Sequence, residues 1–469
     1  MTECTRDEIR SKAPGRREFV ARFDGGDITS DAGVLLLGQV ESRRRILRRF
    51  ADCFTDHRDL TRVEHTARDL IAQRVLAIAL GYEDVNDHER LRLDPLLAAV
   101  AGKSDPRGRR RRHAADRGRA LAAPSTIHRL ELSHPGLAAE DRYCRIGLDS
   151  AAADELLIDL MLEAHDEPPE EIVLDLDATD DAIHGKQQGR FFHGYYDCYC
   201  YLPLYIFSGD HLLCARLRTS DRDAADGCLE ELERIVPRLR AAWPKTRIVI
   251  RGDSGFCREW LMAWCERNGL EFVLGIARNE RLEAAVQGEL EAMRLKHEQT
   301  GEPERVFTSF EYRTLKTWSR SRRVVAKAEH LRRGSNPRFV VTSFDQETWP
   351  HRELYEKLYC ARGEMENRIK EQQLDLFADR TSCHLMRANQ VRLYLSSFAY
   401  VLLSELRRLG LAGTEMARAQ CGTIRLKLFK IGALVRVTFR KVWVSLSQSY
   451  PYAELFARVH ANLASTPPG

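Results

Sequence analysis

Two aspartates close short apolar runs, Ile172-Val173-Leu174-Asp175-Leu176-Asp177 and Ile248-Val249-Ile250-Arg251-Gly252-Asp253, and small or turn-forming residues follow each. Carboxylates at adjacent strand ends can converge on hard cations, because magnesium takes oxygen ligands and keeps several waters. Two such ions, about 4 Å apart, contact both sides of a phosphodiester: one activates the attacking oxygen and the other stabilises the leaving oxygen. Alternation along a strand puts Asp175 and Asp177 on one face, so either can serve, while Asp180 and Asp181 fall in the following turn. A third acid belongs to a helical stretch in which Tyr359, Arg362 and Glu366 share one face, with Glu364 as a rival. Arg368 and Lys370 there add charge suited to a DNA backbone. Taken singly, each acid reads as structural, since strand-end aspartates commonly cap turns and charged helices commonly face water. Their repetition after two buried strands of one region favours chemistry.

The elements that must position these acids follow from periodicity. Residues 1–168 read as mainly helical. A capping signal at Ile28-Thr29-Ser30-Asp31 precedes an apolar helix ending at Arg43-Arg44-Arg45, and a second helix is expected over 62–80. Pro124-Ser125-Thr126-Ile127-His128-Arg129 opens another, capped by Ser125 or Thr126, with Thr126, His128 and Arg129 near its first turn, where a helix-turn-helix element reads bases. Asp166-Glu167-Pro168-Pro169 reads as a linker. Residues 169–278 then alternate strands and helices as the first part of an α/β core. Residues 279–350 form a β-rich insertion with one charged helix over 280–296, and 351–409 are helical and carry the glutamate. Residues 410–469 close the chain with a hairpin of 423–428 and 435–440, one face packed and the other basic.

A chain of 469 residues is too long for one ordinary core, and with 43% hydrophobic and 30% charged residues it reads as a soluble globular protein. No apolar run approaches the roughly 20 residues of a membrane span, and no secretory leader is evident, so a cytoplasmic protein without a membrane partner is expected. Twelve cysteines, Cys4 among them, show no paired spacing. Cys198, Cys200 and Cys214 raise a metal possibility, but reduced, packed thiols are the expectation. Net charge is only +4, yet residues 107–119 hold seven arginines against one acid, so Arg109, Arg110, Arg111 and Arg112 are candidates for a polyanion.

Three segments together resemble the DDE transposases of bacterial insertion sequences, specifically the insertion-sequence-1380 branch: LDLDATDDAIHGKQ at 174–187, RGDSGF at 251–256, and the helix at 359–371 with its Y-x-x-R-x-x-x-E pattern. Gly81-Tyr82-Glu83-Asp84, Asn86-Asp87, Asp94-Pro95-Leu96 and Pro124-Ser125-Thr126 extend the likeness upstream. The resemblance implies an RNase H-like core interrupted by a β-rich insertion and preceded by a helical DNA-binding region. It implies Asp177, Asp253 and Glu366, in that order, as the acids that hold two magnesium ions, with manganese able to substitute. Asp175 and Glu364 stay as rivals. Tyr359 and Arg362 would contact phosphates beside the cut, His184 and Gln187 would line the site, and Trp318 reads as a core residue of the insertion, with stacking of a displaced base as the alternative. The related motif has a lysine where this chain has Gln373.

The expected function is thus cleavage at the inverted repeats of an insertion sequence and transfer of 3′-hydroxyl ends into target DNA, by a homodimer on double-stranded DNA. The alternatives are a nuclease or resolvase of RNase H type that does not join strands, and an inactive DNA-binding relative.

Overall fold

The computed structural model describes residues 8–12, 17–133 and 144–465, so Cys4 and the leading segment lie outside the described residues. The chain divides into two compact units, one of residues 148–397 and one that joins 1–147 to 398–469. The last part of the chain shares a unit with the first. The second crossing, after Ser397, falls inside the helix Met386–Leu409, where composition gives no sign of a boundary.

Residues 148–397 are built on a mixed sheet of nine strands among the described residues. In chain order these are β1 (Glu171–Ala178), β2 (Leu204–Ser208), β3 (His211–Arg216), β4 (Arg247–Gly252), β5 (Glu271–Ile276), β6 (Glu304–Tyr312), β7 (Arg322–Leu331), β8 (Gly334–Ser335) and β9 (Arg338–Thr342). Their lateral order is β3-β2-β1-β4-β5-β9-β7-β6, with β8 paired to β7. The β1–β4 and β4–β5 pairs are parallel and every other pair is antiparallel. Within the segment of residues 279–350, β9 hydrogen-bonds directly to β5 and continues the sheet. The segment's charged helix is two helices, Glu280–Ala285 and Gln287–Thr300, broken at Val286.

Alternation explains why the central strands read as unbroken apolar runs. In β4, Ile248 and Ile250 pack into one core with Ile172, Leu174, Leu176 and Phe272, while Val249 packs into a second with Val273, Val340, Leu354 and Leu358. A sheet covered on both faces needs apolar side chains at every position. The helix Cys228–Ala242 supplies Leu232, Ile235, Val236 and Leu239 to the first core. The segment Leu354–Tyr359 closes the second.

In the other unit the helices Val34–Arg44, Ile46–Asp52, Ala67–Leu80, Pro95–Val100 and Pro124–Glu131 are joined by the late helix Ala453–Ser465, which packs on the first. The second expected helix starts at Ala67 rather than 62, because Thr66 accepts from the Asp69 amide and Asp69 returns the bond, a capping box. Pro124 occupies the first turn of its helix behind Ala123, so neither Ser125 nor Thr126 caps it, and His128 and Arg129 fall in the last turn. The hairpin is displaced too. Residues 421–429 are helical, and the paired strands are Ala433–Val437 and Val442–Leu446. Among the described residues no helix is long and apolar enough to cross a membrane, and no disulfide joins the described cysteines.

Candidate active site

β1 and β4 run parallel with Leu176 opposite Gly252, so the next residue of each, Asp177 and Asp253, emerges at the same end of the sheet. Asp253 leaves its strand as the cap of a short turn, accepting from the Gly255 amide at 2.8 Å. Glu366 arrives from the helix Gly363–Lys370. All three line one cavity of about 480 Å³, together with Thr179, His193, Tyr195, Tyr196, Arg362, Lys370 and Gln373.

Arg362 ties the acids together. Its Nη2 lies 2.6 Å from Glu366 Oε1 and its Nη1 3.7 Å from Asp177 Oδ1. Burial pushes the Asp177 carboxyl up to about 7, Arg362 opposes the shift, and the negative charges of Asp253 and Glu366 add to it. Asp177 is thus short of positive charge even with the guanidinium beside it. Among the described residues no three His, Cys, Asp or Glu side chains already stand as a metal site, the three thiols at 198, 200 and 214 included. The donor chemistry nonetheless fits a hard divalent cation: three carboxylates face one space, and one of them is under-compensated.

The rival acids are disposed differently. Asp175 is buried and held by Arg251, whose Nη1 also donates to the Leu358 carbonyl at 2.5 Å, and Glu364 is exposed and absent from the cavity lining. Tyr359 is held beside Asp253 rather than in the lining. A Cβ on Gly275 would stand 2.6 Å from its hydroxyl and 3.0 Å from the Ser254 amide, so β5 approaches the Asp253 loop this closely only with glycine there. Gln373, in place of the motif lysine, lines the cavity and donates to Asp181 Oδ1 at 3.0 Å and the Asp180 carbonyl at 3.1 Å. Burial raises the Asp181 carboxyl to about 8, a shift the Gln373 amide opposes. Lys370 lines the cavity and carries no ion pair among the described residues.

Other expected residues lie elsewhere. Arg368 is engaged by Asp210 at 3.2 Å and by Glu371. His184 is exposed outside the lining, and Gln187 donates to the Thr381 carbonyl. Trp318, 5% exposed, packs edge-on to Tyr312 in the core under the Arg322 guanidinium and presents no free face. In the unit of residues 1–147 and 398–469, Arg109, Arg110 and Arg112 are exposed, Arg111 is tied to Glu64 at 3.1 Å, Thr126 is half-buried, and His128 and Arg129 are exposed.

One group has no counterpart in the sequence reading. The strand Phe191–His193 and the turn after it place His193, Tyr195 and Tyr196 in the lining. The Tyr196 hydroxyl donates to the Ala178 carbonyl at 3.3 Å, next to Asp177, and its ring meets those of His193 and Tyr195 at 4.9 and 5.0 Å. The available signal was the aromatic run Phe191-Phe192-His193-Gly194-Tyr195-Tyr196, whose rings follow no period that would bury them.

The sequence family described as Transposase DDE domain group 1 matches residues 12–468. No curated protein matches the chain. Among solved structures, the cryo-EM structure of the piggyBac transposase synaptic complex with hairpin DNA is similar over 94% of this chain and 83% of that one, at 11% identity and a TM-score of 0.41.

Proposed function

The chain belongs to the transposase DDE domain family and is a DDE-type polynucleotidyl transferase; on that premise we propose that it cuts DNA at the ends of a mobile element and joins the freed 3′-hydroxyls to target DNA. Asp177, Asp253 and Glu366 are the acids of this reaction. The observation that carries the reading is their meeting in one cavity, from two parallel strand ends and one helix, with Arg362 between two of them.

The element is a bacterial insertion sequence of the 1380 branch, on the strength of three motifs in the same order along the chain. The lateral order β3-β2-β1-β4-β5, with only β1, β4 and β5 parallel, supports an RNase H-like core. The three carboxylates hold magnesium, two ions in number, with manganese as a substitute. Bound there, the ions supply activation of the attacking oxygen and stabilisation of the leaving one. The chain's own residues do the rest. Arg362 orients Glu366 and offsets the repulsion among the acids, and Lys370 meets a non-bridging phosphate oxygen as a point charge. The Tyr196 hydroxyl, anchored on Ala178, fixes the wall beside Asp177. Arg109, Arg110, Arg112, Thr126, His128 and Arg129 contact element DNA, and a homodimer on the DNA brings two ends together in the cytoplasm.

The test is cleavage of a duplex carrying the element's end, with magnesium, by the parent and by Asp253→Asn. Cleavage should vanish while end binding persists. Joint loss of binding and cleavage would mark Asp253 as structural. Pre-cleaved ends that the parent fails to join would reduce the activity to hydrolysis.

A further inference from the structure

The hairpin Ala433–Val437 and Val442–Leu446 lies far along the chain from the acids and takes no part in the reading above. It pairs on one side with the short strand Ile28–Thr29, and among the described residues nothing pairs with its other edge. Its inner face is set by Ala433 and Val435, both buried. On the opposite face Arg436 stands directly across from Trp443. That indole, 49% exposed, has the Arg436 guanidinium 5.6 Å from its centre and the Lys441 ammonium at 5.4 Å. The turn is fixed by Thr438, whose hydroxyl and amide both donate to the Lys441 carbonyl at 2.8 Å. At its tip Phe439 is 95% exposed, next to Arg440.

None of Arg436, Arg440 and Lys441 has a carboxylate partner among the described residues, although ion pairs hold arginines throughout this unit, such as Arg58 with Asp56, Arg74 with Glu131 and Arg111 with Glu64. Asp27, whose carbonyl accepts from the Val435 amide, has its own carboxylate on Arg107 at 2.8 Å. Three uncompensated cations and two exposed rings on a two-stranded ribbon complement a polyanion with apolar edges. The B-form major groove is about 12 Å wide and admits a two-stranded ribbon.

We propose that this hairpin is a second DNA-binding site, docking on duplex DNA independently of sequence: Arg436, Arg440 and Lys441 take backbone phosphates, and Phe439 inserts its ring between them against sugars and base edges. The proposal requires only that the protein bind duplex DNA, and it stands whether or not the acids cut.

The experiment titrates the full chain with a random-sequence duplex of about 40 base pairs across a range of salt concentrations. The probes are the parent, the triple variant Arg436→Gln/Arg440→Gln/Lys441→Gln, and Phe439→Ser. Each phosphate contact contributes roughly 0.9 to the slope of log affinity against log salt, so the triple variant should lose about 2 to 3 from that slope, with affinity down tenfold or more. Phe439→Ser should weaken binding at an unchanged slope. Thermal melting of both variants must match the parent, since every substituted side chain is exposed. Unchanged slope and affinity in the triple variant overturn the proposal. So does a change of oligomeric state in Phe439→Ser with DNA affinity intact, which would make the tip a protein contact. A parent that binds the random duplex but cleaves no element end refutes the proposed function and leaves this one standing.

Discussion

Arg251 grips Asp175 through two side-by-side hydrogen bonds, Nη2 to Oδ2 at 2.7 Å and Nε to Oδ1 at 2.5 Å, inside the sheet where β1 and β4 pair. Burial pushes the Asp175 carboxyl up and Arg251 pulls it back, so the pair holds its charge only as a pair. Asp175→Ala strands a buried guanidinium and should destabilise the protein by about 3–5 kcal/mol in denaturant unfolding. Asp177→Asn should change stability by less than about 1 kcal/mol and remove cleavage. Equal stability losses in the two would leave the choice between these neighbouring acids open again.

Gly275 lets Tyr359 and the Asp253 loop close up. Gly275→Ala should lower cleavage about tenfold or more while end binding stays within about threefold, because a misplacement near 1 Å already costs that much catalysis. The contact is with the Tyr359 hydroxyl, so adding Tyr359→Phe should recover part of the lost rate, a coupling visible in a double-mutant cycle. Additive losses would show that the alanine acts elsewhere.

Arg362→Lys keeps the charge and loses the fork that reaches both Asp177 and Glu366. Cleavage should fall about a hundredfold, comparable to loss of one oriented donor in other active sites, with binding of the element end little changed. A lysine variant as fast as the parent would mean the guanidinium geometry has no part in the reaction.

Asp154 provides the pH signature. Burial lifts its carboxyl to about 6, against the pull of Arg234 and of the Tyr394 hydroxyl, which donates to it at 2.8 Å. A folded-state value above the unfolded one means that this group's stabilisation is complete below about pH 4 and is lost as pH rises through 6. The loss is on the order of 2–3 kcal/mol. Unfolding of Asp154→Asn, followed between pH 4 and 7, should show a correspondingly smaller fall than the parent. Parallel pH profiles would remove Asp154 as the source.

Trp318→Ala should destabilise by about 3–5 kcal/mol as a buried ring is lost, while cleavage per folded molecule is unchanged. A selective loss of cleavage at parental stability would return this side chain to the DNA.

The two aspartate-bearing strands were legible because a sheet buried on both faces writes an unbroken apolar run that stops where the acid begins, as at Ile250-Arg251-Gly252-Asp253. What separates Asp175 from Asp177 was not legible: both share a face, and only the partner strand, which brings Arg251 to one and leaves the other to the cavity, distinguishes them. Trp318 reads as a core residue of the insertion, and Tyr312 and Arg322 pack around it accordingly. The start at Ala67 could have been read, since Thr66 and Asp69 spell a capping box three residues apart. Ile424-Arg425-Leu426-Lys427-Leu428 alternates like a strand, which predicts the hairpin there, yet its backbone coils and Leu426 is left exposed. Tertiary packing overrode a period of two. The shared unit of 1–147 and 398–469 rests on contacts between distant parts of the chain, for instance Phe50 stacked on Phe398 at 3.7 Å, which no local pattern encodes.

Glu366 sits in a helical run with a widened turn before it, Leu354–Tyr359, and another after it, Glu371–Asp375. Such a turn accommodates a surplus residue, and each residue advances the azimuth of everything downstream by about 100°. The bearing of the glutamate is therefore a matter of counting. Inserting one residue into the regular turn just before Glu366, where no widened turn absorbs it, would swing the acid more than a quarter revolution away from the strand ends, with every chemical group of the centre still present.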